Sequence, residues 1–142
     1  MAETPKKKQA LVVDDDAGTR NLFRLVLGPM GYSVVMVANG HEALDIIAQR
    51  PFDLIITDLH LPDMTGLSVA LQARDANPRG HIVMATIDDD ADTMSSAFLA
   101  GCNVYLIKPY NLDHVIELVH RLELAEEPVR LLSDRLGVHD FH

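Results

Sequence analysis

The sequence predicts an α/β fold: a parallel sheet covered by helices on both faces. Three observations carry this. Five short apolar runs, each too short for a helix, alternate strictly with five segments of helical periodicity. The connections between them are short, which is the pattern of repeated strand–helix units. The apolar runs are hydrophobic throughout rather than at every second residue, as expected of strands buried on both faces.

The first strand is Ala10-Leu11-Val12-Val13, ending in Asp14-Asp15-Asp16. The helix after it carries Leu22, Phe23, Val26, Leu27 and Met30 on one face, weakens at Gly28-Pro29 and closes at Gly31. Strand two is Tyr32 to Val37. Asn39, in the turn Ala38-Asn39-Gly40, is placed to cap helix two, whose inward face is Ala43, Leu44, Ile47 and Ala48 and which Pro51 stops. Strand three is Leu54 to Thr57, with Asp58 at its end; Pro62 and Gly66 mark the loop beyond. Helix three runs from about Gly66 to Asp75 with Leu67, Ala70 and Leu71 inward, and Asn77-Pro78-Arg79-Gly80 breaks it. Strand four is His81 to Thr86. Helix four spans about Thr93 to Ala100, ended by Gly101. Strand five is Val104 to Ile107, followed by Lys108-Pro109. Helix five starts at Asn111 and faces inward with Leu112, Val115, Ile116, Val119 and Leu122. Crossovers between the strands are expected to be right-handed.

These elements form one domain over residues 9–124, within a chain of 142 residues. Residues 1–8, with Lys6-Lys7-Lys8, read as a flexible solvated leader, and the apolar stretch after it, Ala10 to Val13, is too short for a signal peptide. Residues 125–142 read as a tail or the start of a linker. After the Pro128 break, Val129, Leu132 and Leu136 fall at helical spacing.

Composition narrows the function. Hydrophobic residues make up 48% and charged residues 23%, which suits a packed core. With 21 acidic and 12 basic residues the formal charge is −9, the wrong sign for direct binding of this segment to nucleic acid. It suits a divalent cation. No apolar run approaches the length of a membrane span. The single cysteine, Cys102, excludes an internal disulfide and fits a reducing cytoplasm.

In an open parallel sheet, ligands bind outside the carboxyl ends of the strands. The residues there are Asp14 and Asp15 after strand one, Asp58 after strand three, Thr86 after strand four and Lys108 after strand five. Strand two contributes nothing, as expected of an edge strand. Three carboxylates, a hydroxyl and an ammonium in one place suit a metal ion and a phosphoryl group. Crowded carboxylates resist full ionisation, and Mg2+, which prefers hard oxygen ligands, removes that repulsion. Asp58 can then attack phosphorus while Thr86 and Lys108 take the remaining oxygens.

The ordered set Leu11-Val12-Val13-Asp14-Asp15, Asp58 with Leu61-Pro62 and Gly66, Thr86, and Lys108-Pro109 resembles the receiver domain of bacterial two-component response regulators. Asn39-Gly40 with Glu42-Ala43-Leu44 adds to it, and the resemblance spans about residues 9–124. It implies a doubly wound, flavodoxin-like sheet of order 2-1-3-4-5 with five helices. It implies that Asp58 accepts phosphate from a sensor histidine kinase or a histidine phosphotransfer protein. Asp15, Asp58 and the backbone carbonyl of His60 would bind Mg2+ directly, and Asp14 through water. Lys108 would contact the phosphoryl group, with its bond to Pro109 in the cis form. Thr86 would move toward the phosphate and Tyr105 would rotate into the space behind it. The surface of helix four, strand five and helix five would change shape and serve partner binding or a homodimer. At most, slow self-dephosphorylation is implied.

Ile87 stands where the family usually has a small residue, and its bulk is expected to narrow access to the phosphoryl group. The His60 imidazole could reach the phosphoryl group or a water. Asp16 reads as a helix N-cap, and Asp88-Asp89-Asp90 as a solvated loop and cap. His114 and His120 read as surface residues, and the seven histidines show no metal-ligand spacing. Cys102 reads as a packed small residue. Two other readings stay open. One is a receiver-fold binding module that is not phosphorylated. The other is a haloacid-dehalogenase-type phosphatase with Asp14 as nucleophile, although Gly18 departs from its pattern and Asp58 would have no role.

Overall fold

The apolar runs form strands β1 (Lys8–Val13), β2 (Tyr32–Val37), β3 (Leu54–Asp58), β4 (His81–Thr86) and β5 (Val104–Ile107) in a computed structural model that describes residues 6–141. Between and after them lie helices α1 (Ala17–Leu27), α2 (Gly40–Gln49), α3 (Gly66–Ala76), α4 (Ala91–Leu99) and α5 (Leu112–Leu124). The five strands are parallel, in the order β2-β1-β3-β4-β5. The expected doubly wound sheet is therefore present.

Alternate residues of each strand feed two cores. Leu11, Val13, Ile55, Ile82, Met84 and Tyr105 face α2, α3 and α4. Ala10, Val12, Leu54, Ile56, Val83, Val104 and Leu106 face α1 and α5. That is why the runs are hydrophobic throughout: each side of the pleat meets a helix layer. Asp16, Asn39 and Asp90 cap α1, α2 and α4, their side chains accepting from Thr19 N, Glu42 N and Thr93 N.

Some expectations change. The helix three face is Val69, Ala70 and Ala73, and Leu71 is exposed. In α5 the buried set is Val115, Leu118, Val119 and Leu122, while Leu112 and Ile116 are partly open to solvent. Helices need only three or four buried positions per two turns, and the sheet's twist decides which ones. Ala48 of α2 is likewise exposed. Part of the leader, residues 1–5, lies outside the described residues. Lys8, assigned to that leader, is instead the first residue of β1: it pairs with Tyr32, and its ammonium meets the Glu123 carboxylate at 2.7 Å.

The largest correction concerns residues 125–142. The helical spacing of Val129, Leu132 and Leu136 does not produce a helix. The chain forms β6 (Leu131–Asp134) and β7 (Gly137–Asp140), which extend the sheet to seven strands. β6 pairs parallel with β5, and β7 folds back antiparallel on β6. Gly137 takes φ +138 at the tight turn, a backbone that favours glycine. The hairpin forms because the β5 edge offers unpaired N–H and C=O groups and an apolar strip on each side. Leu131 enters the α1/α5 core, while Leu132 and Phe141 pack against the other.

Candidate phosphoryl-acceptor site

The strand ends assemble an acidic pocket. β1 and β3 are neighbours in the sheet, so Asp14 and Asp15 emerge beside Asp58. One carboxylate oxygen from each of these three residues lies within 4.8 Å of the others. Asp14 and Asp58 are only 3% and 8% exposed, whereas Asp15 is open to solvent. The Lys108 ammonium bridges two of them, 3.0 Å from Asp58 Oδ2 and 3.3 Å from Asp14 Oδ2. Lys108 reaches there because its backbone N–H donates to the Thr86 carbonyl at 2.8 Å, fixing the exit of β5 against β4. The Lys108–Pro109 bond is cis.

Backbone donors hold the acids. Asp14 Oδ1 accepts from Asp16 N at 2.9 Å, and Asp58 Oδ1 accepts from His60 N at 3.1 Å. The Arg20 guanidinium donates to the Asp14 carbonyl at 2.7 Å. Burial pushes the Asp14 carboxyl above its ordinary range, against the Asp16 N–H and the Lys108 ammonium, and the Asp58 charge adds to the rise. Burial works to lower the Lys108 pKa, but its hydrogen bond to Asp58 and the two acidic charges outweigh it, and the pKa is raised. The donor set of clustered carboxylate oxygens, two of them buried, fits a hard divalent cation such as Mg2+.

Thr86 ends β4 and is fully buried; its hydroxyl accepts from the Asp88 N–H at 3.2 Å. Ile87, next along, is at the surface and 70% exposed. The His60 side chain does not enter the acid cluster. Its Nε2 lies 2.7 Å from Asp88 Oδ2, joining the loop after β3 to the loop after β4. Asp88 is therefore more than a solvated loop residue: its carbonyl also accepts from the Tyr105 hydroxyl at 2.8 Å. Tyr105 is fully buried, and β6 pairs along the edge of β5 beside it. Cys102 is buried, and burial pushes its thiol up to about 12, as suits a packed residue.

Three residues of the site's surroundings were not legible in the sequence. Asp63 accepts from Gly40 N at 2.8 Å and His41 N at 2.9 Å, so the loop after β3 caps α2 from outside. Gly40 and Asp63 lie 23 residues apart, so no local pattern signals this contact. Tyr110 packs edge-on against Phe23, with ring centroids 5.2 Å apart, and the Lys108 ammonium stands 5.8 Å above its ring. An aromatic two residues beyond Lys108 was the available signal. His114, expected at the surface, sits with Nδ1 3.1 Å from the Asp134 carbonyl, against the hairpin.

Residues 10–120 match the family described as the response regulator receiver domain. The response regulator protein PilR of Pseudomonas aeruginosa is 35% identical over 136 residues, covering 90% of this chain and 31% of that protein. The DNA-binding transcriptional regulator NtrC of Escherichia coli is 32% identical over 110 residues, covering 78% of this chain and 24% of that protein. The chain thus spans about a third or less of the length of these relatives. Among solved structures, the chemotaxis response regulator CheY4 of Vibrio cholerae superposes with a TM-score of 0.76 at 28% identity, covering 82% of this chain and 98% of that one. A response regulator of Burkholderia pseudomallei, solved with a phosphorylated aspartic acid and a calcium ion, gives a TM-score of 0.71 at 30% identity, covering 86% of this chain and 76% of that one. No described helix is long and apolar enough to cross a membrane. With this fold, this acid cluster and these relatives, the chain belongs to the response regulator receiver domain family.

Proposed function

We propose that Asp58 accepts a phosphoryl group from a phosphohistidine on a sensor histidine kinase or a histidine phosphotransfer protein. The observation that carries this is the Asp58 carboxylate, buried at the end of β3, 3.0 Å from the Lys108 ammonium and clustered with Asp14 and Asp15. A carboxylate oxygen of Asp58 forms the O–P bond as the N–P bond to the imidazole breaks, and the imidazole takes up a proton as it leaves. Asp15, Asp58 and the His60 carbonyl would hold Mg2+, with Asp14 acting through water. When bound there, the ion would supply positive charge against the transferring group. Lys108 neutralises a phosphoryl oxygen, and the Thr86 hydroxyl, which accepts from the Asp88 N–H, donates its own proton to another. The domain signals rather than turns over substrate, with slow self-dephosphorylation at most, and its place is the cytoplasm. This segment itself makes no contact with nucleic acid, since its charge of −9 opposes one.

Magnesium-dependent labelling by acetyl phosphate or phosphoramidate tests the reading. We expect one phosphoryl group per chain, lost in Asp58→Asn. Labelling that survives in Asp58→Asn, or no labelling of the wild type, would overturn it and favour a binding module that has the fold without the chemistry. The phosphatase reading has less support, because it leaves Asp58, buried in the same cluster and 3.0 Å from the Lys108 ammonium, without a role. For a homodimer through α4, β5 and α5, a second copy would meet the β6–β7 hairpin rather than a bare β5 edge.

A further inference from the structure

The hairpin covers the face on which the family's switching surface was expected. β6 takes the β5 edge, with Val104, Tyr105 and Leu106 opposite Leu131, Leu132 and Ser133. Phe141 stacks on Phe98 of α4 at 4.5 Å between ring centroids. Arg121 of α5 donates to the Val138 carbonyl at 3.3 Å and to Asp140 Oδ1 at 2.9 Å. The segment is therefore anchored on α4, β5 and α5 at once.

Tyr105 is where this cover meets the acid pocket. Leu132 sits opposite it in a parallel pair, so both side chains lie on the same face of the sheet. Leu132 and Phe141 pack into the cluster that contains Tyr105. The space beside β5 into which an edge-strand tyrosine would swing outward is thus filled. The Tyr105 hydroxyl donates to the Asp88 carbonyl, the Asp88 N–H donates to Thr86 Oγ1, and the Asp88 carboxylate meets His60. Hairpin, tyrosine, loop and phosphoryl-acceptor site form one chain of direct contacts.

We propose that the β6–β7 hairpin is a built-in occupant of the α4-β5-α5 face, and that its docking and the loading of Asp58 stabilise each other through Tyr105. The inference rests on Asp58 being the phosphoryl acceptor. A loaded site draws Thr86 toward it and needs the room behind filled, and the docked hairpin keeps Tyr105 in that room. The competent arrangement is then populated before loading, which raises apparent affinity. Linkage requires the reverse effect to be equal: loading tightens the hairpin.

The test uses the full chain with Mg2+ and beryllofluoride, a phosphoryl mimic. In the wild type, amide hydrogen exchange is followed at Leu131 and Phe141, whose N–H groups donate to Asn103 and Arg130 carbonyls. We expect both to exchange more slowly once the adduct forms on Asp58. We expect Leu132→Ala and Phe141→Ala to weaken beryllofluoride binding by about fivefold or more. An adduct on Asp58 with hairpin exchange unchanged or faster would overturn the linkage alone. Unchanged affinity in both variants would do the same. An adduct elsewhere, or none, would overturn the assignment of Asp58 and this inference with it.

Discussion

Replacing Lys108 with Met keeps an apolar stem of similar length and removes only the charge. The ammonium lies 3.0 Å from Asp58 and 3.3 Å from Asp14, and the Lys108 side chain is 22% exposed. Each contact has a gross attraction of about 5 kcal/mol at an effective dielectric near 20. Desolvation of three charged groups offsets much of this, and removing one partner leaves two buried carboxylates facing each other. We expect a net loss of about 2 kcal/mol, below the cost of breaking a fully buried pair. For a chain of this size that is a fall of roughly 4–8 °C in the unfolding midpoint. A divalent cation should substitute for the missing ammonium, because it supplies charge to the same carboxylates. Thermal unfolding followed by circular dichroism at neutral pH, with chelator and then with saturating Mg2+ at matched ionic strength, measures both effects. The gap between variant and wild type should shrink with Mg2+, since the ion binds the more acidic pocket more tightly. If the gap is the same with and without Mg2+, the ammonium and the cation do not share these carboxylates and the charge argument fails.

Three further outcomes are expected. Gly66→Ala would place a Cβ 2.1 Å from the Asp58 carbonyl oxygen and 2.9 Å from Leu59 Cα, both backbone; we expect a loss of ~3 kcal/mol in urea unfolding together with weaker Mg2+ binding, and a stable variant that binds Mg2+ normally would contradict it. For Asp63, shielding from water favours the neutral acid, but the N–H groups of Gly40 and His41 outweigh it, and its pKa is lowered. Its stabilising effect should be complete above the ordinary carboxylate range and vanish as pH falls through the lowered value, so Asp63→Ala should reduce the unfolding midpoint at neutral pH and match wild type in strong acid; a pH-independent difference would refute the capping account. Ile87→Ala should speed loss of the phosphoryl group by admitting water, as measured by dephosphorylation kinetics, and equal rates would remove Ile87 as a barrier.

The features legible in the sequence are those set by local chemistry. Strand runs apolar on both faces, the caps Asp16, Asn39 and Asp90, and the alternation of strand and helix all depend on near neighbours, and each is found in the structure. The acid pocket was legible for a related reason. In a parallel doubly wound sheet every strand ends on the same side, so the residue after each run is known before any contact is. Leu71, Leu112 and Ile116 were assigned inward because helical spacing admits several apolar stripes, and only the twist of the sheet selects one. The tether from Asp63 to α2 and the bridge from His60 to Asp88 join loops that are distant in sequence.

The sequence by itself determined the class of fold, the strand-end acids, and their suitability for a cation and a phosphoryl group, because these follow from residue type and short-range order. Tertiary structure alone decided the fate of residues 125–142 and of Tyr105. Val129, Leu132 and Leu136 have the spacing of a helix, whereas the adjacent apolar pair Leu131-Leu132 suits a strand buried on both faces. The tie was broken by the open edge of β5, whose unpaired backbone groups and flanking apolar strips are satisfied by a strand and not by a helix. Once that strand is in place, the tyrosine at the former edge has no outward space left.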